Sequence, residues 1–192
     1  KIKPNIFLKI NNKNPFNAIG EMIIKLDKIL NEFKPDCFFV VGDTNSALSA
    51  IVAKKKQIPV FHYEAGNRCF DERVPEEINR KIIDTLSDIN LTYSESSKLN
   101  LIKENFPLDR VFNVGSPLFE VFQENKEKIN KSNILKKLKL KEQKYIVLSL
   151  HREENIENKK NLDEIIDSLN YLADKIKKKI IFSTHPRTRK KL

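Results

Sequence analysis

Short apolar runs alternate with amphipathic stretches along the whole of this 192-residue chain. That alternation restricts the fold more than any other feature. Cys37 to Val41, Ile58 to Tyr63, Ile89 to Tyr93, Arg110 to Val114, Tyr145 to Leu150 and Lys179 to Phe182 each read as a strand. Residues 17–33 place Ile19, Met22, Ile23, Leu26, Ile29, Leu30 and Phe33 at helical spacing, until Lys34-Pro35-Asp36 stops the pattern. Residues 158–177 do the same with Leu162, Ile165, Ile166, Leu169, Leu172 and Ile176. Further helices are expected from Asn45 to Lys55, from Pro75 to Leu86, from a Ser94 cap to Asn105, and from Pro117 to Lys128. Strand and helix in turn predict an α/β fold with parallel sheets and helices on both faces. Continuous apolar runs such as Cys37–Val41 then read as buried strands. Gly115-Ser116-Pro117 reads as a hinge between a first lobe, residues 1–115, and a second, residues 116–192.

Charge raises the question of a polyanionic partner, because the net charge is +10. The excess is lysine spread beside asparagine and isoleucine, as in Lys54–Lys56, Lys136–Lys141 and Lys175–Lys179. An AT-rich genome produces such usage, and the clusters read as solvated helix faces. Basic residues interleaved with aromatics, as a single-strand binding groove needs, are not evident. The expectation is therefore no nucleic-acid partner. No apolar run has the eighteen or more residues of a membrane span. The opening KIKPNIFLKI lacks the apolar centre of a signal peptide. Cys37 and Cys69 are too few for a disulfide framework and lack metal spacing. These features point to a cytoplasmic protein without a metal.

In a parallel sheet, ligands bind beyond the carboxyl ends of the strands. Polar residues recur there: Asp43, Glu64, Ser94, Ser116, His151 and His185. Each has an ordinary structural explanation. Asp43 in GDTN would cap the next helix, and Glu64 would end a strand in a salt bridge. Glu76 and Glu77 would complement the dipole of the helix that starts at Pro75. Arg68, Arg73 and Arg80 would either pair with these acids or grip phosphate oxygens. A histidine such as His151 is commonly a hydrogen-bonded loop residue. The weight lies in the set, concentrated in His62–Arg80, HYEAGNRCFDERVPEEINR. No P-loop, GxGxxG, metal triad or GxSxG elbow competes with it.

The segments VVGDTNSALSA, FHYEAGNRCFDERVPEEINRKIIDTLSDINLTYSESS, VFNVGSPLFEVF, LSLHREENIE and STHPRTR resemble the non-hydrolysing UDP-N-acetylglucosamine 2-epimerase family over nearly the whole chain. RCFDERVPEEINR and HREEN look most like the branch that forms UDP-N-acetyl-L-fucosamine from its L-talose epimer for capsule or O-antigen. The resemblance implies two Rossmann-like lobes of the GT-B type, a site in the cleft between them, and a homodimer. Measured against that family the chain is short at both ends, which suggests a fragment.

By the same resemblance, Asp43, Glu64, Glu76 and His151 map onto the catalytic set. Asp43, Glu64, Arg80, Ser116, His151 and His185 map onto substrate-binding positions. His185 lies where some relatives bind a second, regulatory UDP-sugar, although the local wording departs from theirs. The implied chemistry expels UDP, removes the C2 proton and adds UDP back with the proton on the other face. It needs two proton-handling groups and no metal or nicotinamide cofactor. Three alternatives remain at this level. They are a UDP-N-acetylglucosamine substrate giving the manno epimer, a glycosyltransferase of the same architecture, and a non-catalytic nucleotide-sugar or nucleic-acid binding module.

Overall fold

A computed structural model of the chain describes residues 3–11, 13–150, 158–184 and 186–189. The chain divides into two compact units, Lys1–Val121 and Phe122–Leu192.

Helix α1, Pro15–Phe33, opens the first unit. Asn14 starts it: Oδ1 accepts from the backbone N–H of Phe16 at 2.9 Å and of Asn17 at 3.1 Å. These are donors that a helix start leaves without an intrahelical partner. Proline suits the first turn, where its missing N–H removes no helical bond. Ala18, Met22, Leu26 and Leu30 form the buried stripe. Lys34 closes the helix in the left-handed region, φ 44°, and donates its N–H to the Leu30 carbonyl.

Four parallel strands follow, β1 (Phe38–Val41), β2 (Val60–Ala65), β3 (Ile89–Thr92) and β4 (Val111–Asn113), ordered β1-β2-β3-β4. Helices α2 (Ala50–Lys55), α3 (Pro75–Leu86) and α4 (Glu95–Lys103) connect them. The stretch expected as one helix from Asn45 to Lys55 divides into a tighter 3-10 turn over Asn45–Ser49 and then α2. Ser49 Oγ donates to the Ser46 carbonyl at 2.7 Å, the local competition that serine hydroxyls offer to a regular helix.

Sequence order and spatial order coincide in this sheet, so right-handed crossovers bring the connecting helices to one face. There Val40 and Val60 pack with Leu26, Leu30, Ala50, Ala53 and Ile83. A smaller cluster joins Ala65, Leu101 and Val111. Full burial of a side chain such as Ile83 or Leu101 contributes roughly 1.5–3 kcal/mol. The opposite face, where the alternation predicts helices as well, is partly open among the described residues. Phe39 and Val41 are 55% and 57% exposed and Phe112 is 46% exposed. Edge strand β1 thus alternates, Val40 inward and its neighbours outward, and is not buried on both sides. Tyr63 crosses that face between the rings of Phe39 and Tyr93. A parallel sheet of this kind delivers the ends of all four strands, and the loops that follow them, to one edge.

The boundary with the second unit falls inside α5, Leu118–Asn130. Beyond it come α6 (Ile134–Lys137), β5 (Tyr145–Leu148), α7 (Lys159–Ile176), β6 (Lys179–Phe182) and α8 (Pro186–Arg189). Strands β5 and β6 pair in parallel, Ile146 opposite Ile180 and Leu148 opposite Phe182. Asn158 caps α7, its side chain accepting from the N–H of Lys160 at 3.0 Å and of Asn161 at 3.4 Å. Buried Thr188 donates its hydroxyl to the Leu150 carbonyl at 3.1 Å. No helix among the described residues is long and apolar enough to cross a membrane.

Candidate functional site

Asp43 and Glu64 lie at the ends of neighbouring strands. Strand β1 is followed by Gly42, whose φ of +74° favours a residue without a side chain. Its N–H reaches the Tyr63 carbonyl at 2.9 Å. Asp43 follows, and the 3-10 turn after it has no side-chain cap. The capping role open to this aspartate is therefore not the one it takes. Its Oδ2 accepts from Arg80 Nε at 2.7 Å, and its carbonyl accepts from Asn79 Nδ2 at 2.8 Å. Helix α3 supplies both partners, so it ties the end of β1 to its own first two turns.

Glu64 is positioned by an irregularity. Tyr63 pairs with Leu91 and Ala65 with Thr92, so β2 carries one more residue here than β3. Such a bulge re-aims the extra side chain. Glu64 takes φ +79°, a left-handed conformation that costs a non-glycine residue about 1–3 kcal/mol. Its Oε2 would lie 3.6 Å from a Cβ placed on Gly42, which sets the carboxylate beside the end of β1. Burial pushes the Glu64 carboxyl above the usual range, and the negative charge of Asp43 adds to this. The nearby His62 and Arg80 charges act in the opposite sense without cancelling it. The phenol of Tyr93 is raised as well, first by burial and then by the Glu64 charge.

The first turn of α3 separates two adjacent acids. Glu76, placed in the catalytic set by resemblance, is exposed. Glu77 is fully buried and accepts from the N–H of Cys69 at 3.0 Å, the N–H of Phe70 at 3.1 Å and Arg80 Nη1 at 3.1 Å. Burial alone would raise its pKa. The two backbone donors and the guanidinium together outweigh burial and hold the carboxyl below its ordinary value.

Arg68 and Arg73 take the structural option. Arg68 donates to Asp84 at 2.7 Å and to both oxygens of Glu104 at 2.7 and 2.6 Å. Arg73 pairs with Asp71 at 2.8 Å. Arg80 is the arginine set among the acids. Ser116 is exposed, and its Oγ accepts from the Leu118 N–H at 3.3 Å at the start of α5. His151 and His185 lie outside the described residues. Among the described residues no group of three or more His, Cys, Asp or Glu side chains could hold a metal ion.

Beneath the acid pair sits a buried cluster. His62 Nδ1 lies 2.7 Å from Asp84 Oδ1 and Nε2 lies 3.1 Å from the Gly42 carbonyl. Asp84 also accepts from the Gly66 N–H at 3.3 Å. One signal in the sequence could have found this: Glu77, Arg80 and Asp84 share a helix face at i, i+3 and i+7, alongside the core residue Ile83.

Gly66 admits no side chain. Its φ is +75°, and an added Cβ would lie 2.3 Å from the Ser97 carbonyl oxygen. Gly66→Ala is expected to destabilise the first unit by about 3–5 kcal/mol, the upper range for one substitution. Urea unfolding followed by circular dichroism measures it.

The model of the UDP-N-acetylglucosamine 2-epimerase family matches residues 1–192. A UDP-N-acetylglucosamine 2-epimerase homolog of Methanococcus maripaludis is 40% identical over 192 residues, covering 98% of this chain and 52% of that protein. The structure of UDP-N-acetylglucosamine 2-epimerase from Rickettsia bellii superposes with a TM-score of 0.88 at 49% identity, over 100% of this chain and 50% of that one. The Methanocaldococcus jannaschii UDP-GlcNAc 2-epimerase, crystallised in complex with UDP-GlcNAc and UDP, gives 0.86 at 36% identity, over 100% and 53%. The chain thus spans about half the length of the relatives it matches.

Proposed function

This chain belongs to the UDP-N-acetylglucosamine 2-epimerase family, and we propose that the protein built on it inverts C2 of a UDP-N-acetyl sugar. The proton at C2 is not acidic, so its removal must be coupled to loss of a leaving group. In the proposed route a base takes the C2 proton and the C–H electron pair becomes the C1–C2 double bond. The C1–O bond breaks and its electron pair leaves with UDP. On return, the UDP oxygen bonds to C1 again while an acid delivers a proton to the opposite face of C2. Substrate and product are isomers, so the cycle consumes no oxidant or reductant.

The observation that carries this reading is the Asp43–Glu64 pair. One carboxylate is ion-paired with Arg80. The other is pushed toward its protonated form by burial and by the charge of the first. Two carboxyl groups in contrasting surroundings are what acid–base division of labour requires. Glu76 and His151 complete the proposed catalytic set, with Arg80, Ser116 and His185 proposed for substrate binding. Cations near the departing diphosphate stabilise its charge, a role suited to Arg80 and His151. In this reading residues 1–115 and 116–192 are parts of two Rossmann-like lobes of a homodimeric enzyme, a division six residues before the boundary between the two compact units.

For the sugar, the RCFDERVPEEINR and HREEN segments favour UDP-2-acetamido-2,6-dideoxy-L-talose, converted to UDP-N-acetyl-L-fucosamine. The names of the relatives favour a second reading, UDP-N-acetylglucosamine converted to its manno epimer. Offering each nucleotide sugar separately to the full-length protein and following C2 configuration by proton NMR decides between them. Turnover of either with inversion supports the class. Transfer of the sugar to an acceptor with C2 unchanged would overturn it in favour of a glycosyltransferase.

A further inference from the structure

We propose that Asp84 is a positioning residue that staples the Glu64 bulge and sets the spacing between Glu64 and Asp43. The inference rests on the epimerase reading only for its consequence on turnover.

The chain path carries the argument. Glu64 stands between His62 and Gly66, and Asp84 holds both flanks, His62 Nδ1 at 2.7 Å and the Gly66 N–H at 3.3 Å. The far side of the His62 ring meets the Gly42 carbonyl at 3.1 Å, one residue before Asp43. One buried carboxylate thus links the backbone that carries each acid. Its own orientation is fixed by Arg68, whose Nη1 donates at 2.7 Å with both side chains excluded from solvent. Helix α4 steadies the far flank, where Asn100 Nδ2 donates to the Gly66 carbonyl at 3.0 Å and Ser97 Oγ to Asn67 Oδ1 at 2.8 Å. Among the described residues, the Glu64 side chain takes one long hydrogen bond, from Asn67 Nδ2 at 3.5 Å. Its strained φ of +79° is therefore imposed by what grips its neighbours. The charged and titratable groups acting on Glu64 are Asp43, His62 and Arg80, and Tyr93 feels its charge in turn.

Asp84→Asn keeps the size but puts an amide NH2 where one of the three donors now points. A displacement of about 1 Å at a reacting group can lower the chemical step on the order of 10²-fold. The expected result is a fall of that order in kcat per folded molecule of full-length protein, with KM for the UDP-sugar little changed. A residue that only stabilises the fold would lower Tm and leave kcat per folded molecule intact.

A second readout does not depend on turnover. In isotope-labelled protein, the Glu64 Cα shift and HN–Hα coupling report a positive φ, and hydrogen exchange reports the Gly66 amide. In Asp84→Asn both signatures are expected to be lost, while amide protection in β1 and β3 persists. His62→Gln breaks the same staple from its other side. It is expected to release Glu64 in the same way, and it decides the matter if Asp84→Asn does not fold. Wild-type backbone signatures at Glu64 and Gly66 in a folded variant would overturn the proposal. An inactive wild type with the signatures lost in the variant would sink the epimerase reading and leave the staple standing.

Discussion

Glu64→Gln is expected to lower C2 inversion by about 10²–10⁴-fold, the contribution of a positioned proton-transfer group. The same substitution is expected to stabilise the fold at neutral pH. Burial and Asp43 raise the Glu64 carboxyl above its ordinary value in the folded chain. The folded state therefore holds this proton over a window where the unfolded chain has released it. Stability linked to Glu64 is fully present below the ordinary glutamate pKa and is lost as pH rises through the raised value. Glutamine cannot ionise, so the variant escapes that loss. Thermal melts should show the variant above the wild type at pH 7, with the gap closing as pH falls below about 4.3, the unperturbed value. A gap that widens in acid would show that the Glu64 carboxyl is lowered and not raised.

Glu77→Ala is expected to destabilise the first unit by about 3–5 kcal/mol, as for loss of one member of a buried ion pair. Two backbone N–H groups, of Cys69 and Phe70, lose their acceptor, and among the described residues Arg80 keeps Asp43. Phe70, at φ +57°, then loses the acceptor that ties its turn to α3. Here the linkage has the opposite sign to that of Glu64. Backbone donors and Arg80 overcome burial and depress the Glu77 carboxyl, so its stabilisation is present above the ordinary value and is lost as pH falls through the depressed one. Comparison with Glu77→Gln isolates the charge: the wild-type advantage should be largest near neutral pH and fade in acid. Chemical denaturation at several pH values measures both variants.

These two glutamates also show where sequence reasoning reached and where it stopped. Strand and helix alternation located every strand among the described residues to within two or three residues, because apolar runs and helical spacing are local properties. It also marked the carboxylates at the strand ends. The bulge left no mark: no glycine or proline stands at 64 to announce a positive φ, and the staple that imposes it comes from Asp84, twenty positions on. Position along α3 could not tell Glu77 from Glu76, since Arg80 is i+3 to one and i+4 to the other; the fold of the Cys69–Phe70 turn over Glu77 separates them. Which arginine would stand among the acids was not local information either. Arg68 found Asp84 and Glu104 through tertiary packing, and Arg80 found Asp43. The open sheet face follows from strand order, which periodicity does not encode.

The central claim is that carboxyl groups from neighbouring strand ends handle the C2 proton of one sugar ring. Incubating the full-length protein with each proposed UDP-sugar in D2O, and reading C2 by NMR and mass spectrometry, tests it most directly. The account predicts deuterium at C2 in the epimerised product, with incorporation all but abolished by Asp43→Asn and by Glu64→Gln. An inverted product that keeps its original C2 hydrogen, or incorporation that survives both substitutions, would contradict it.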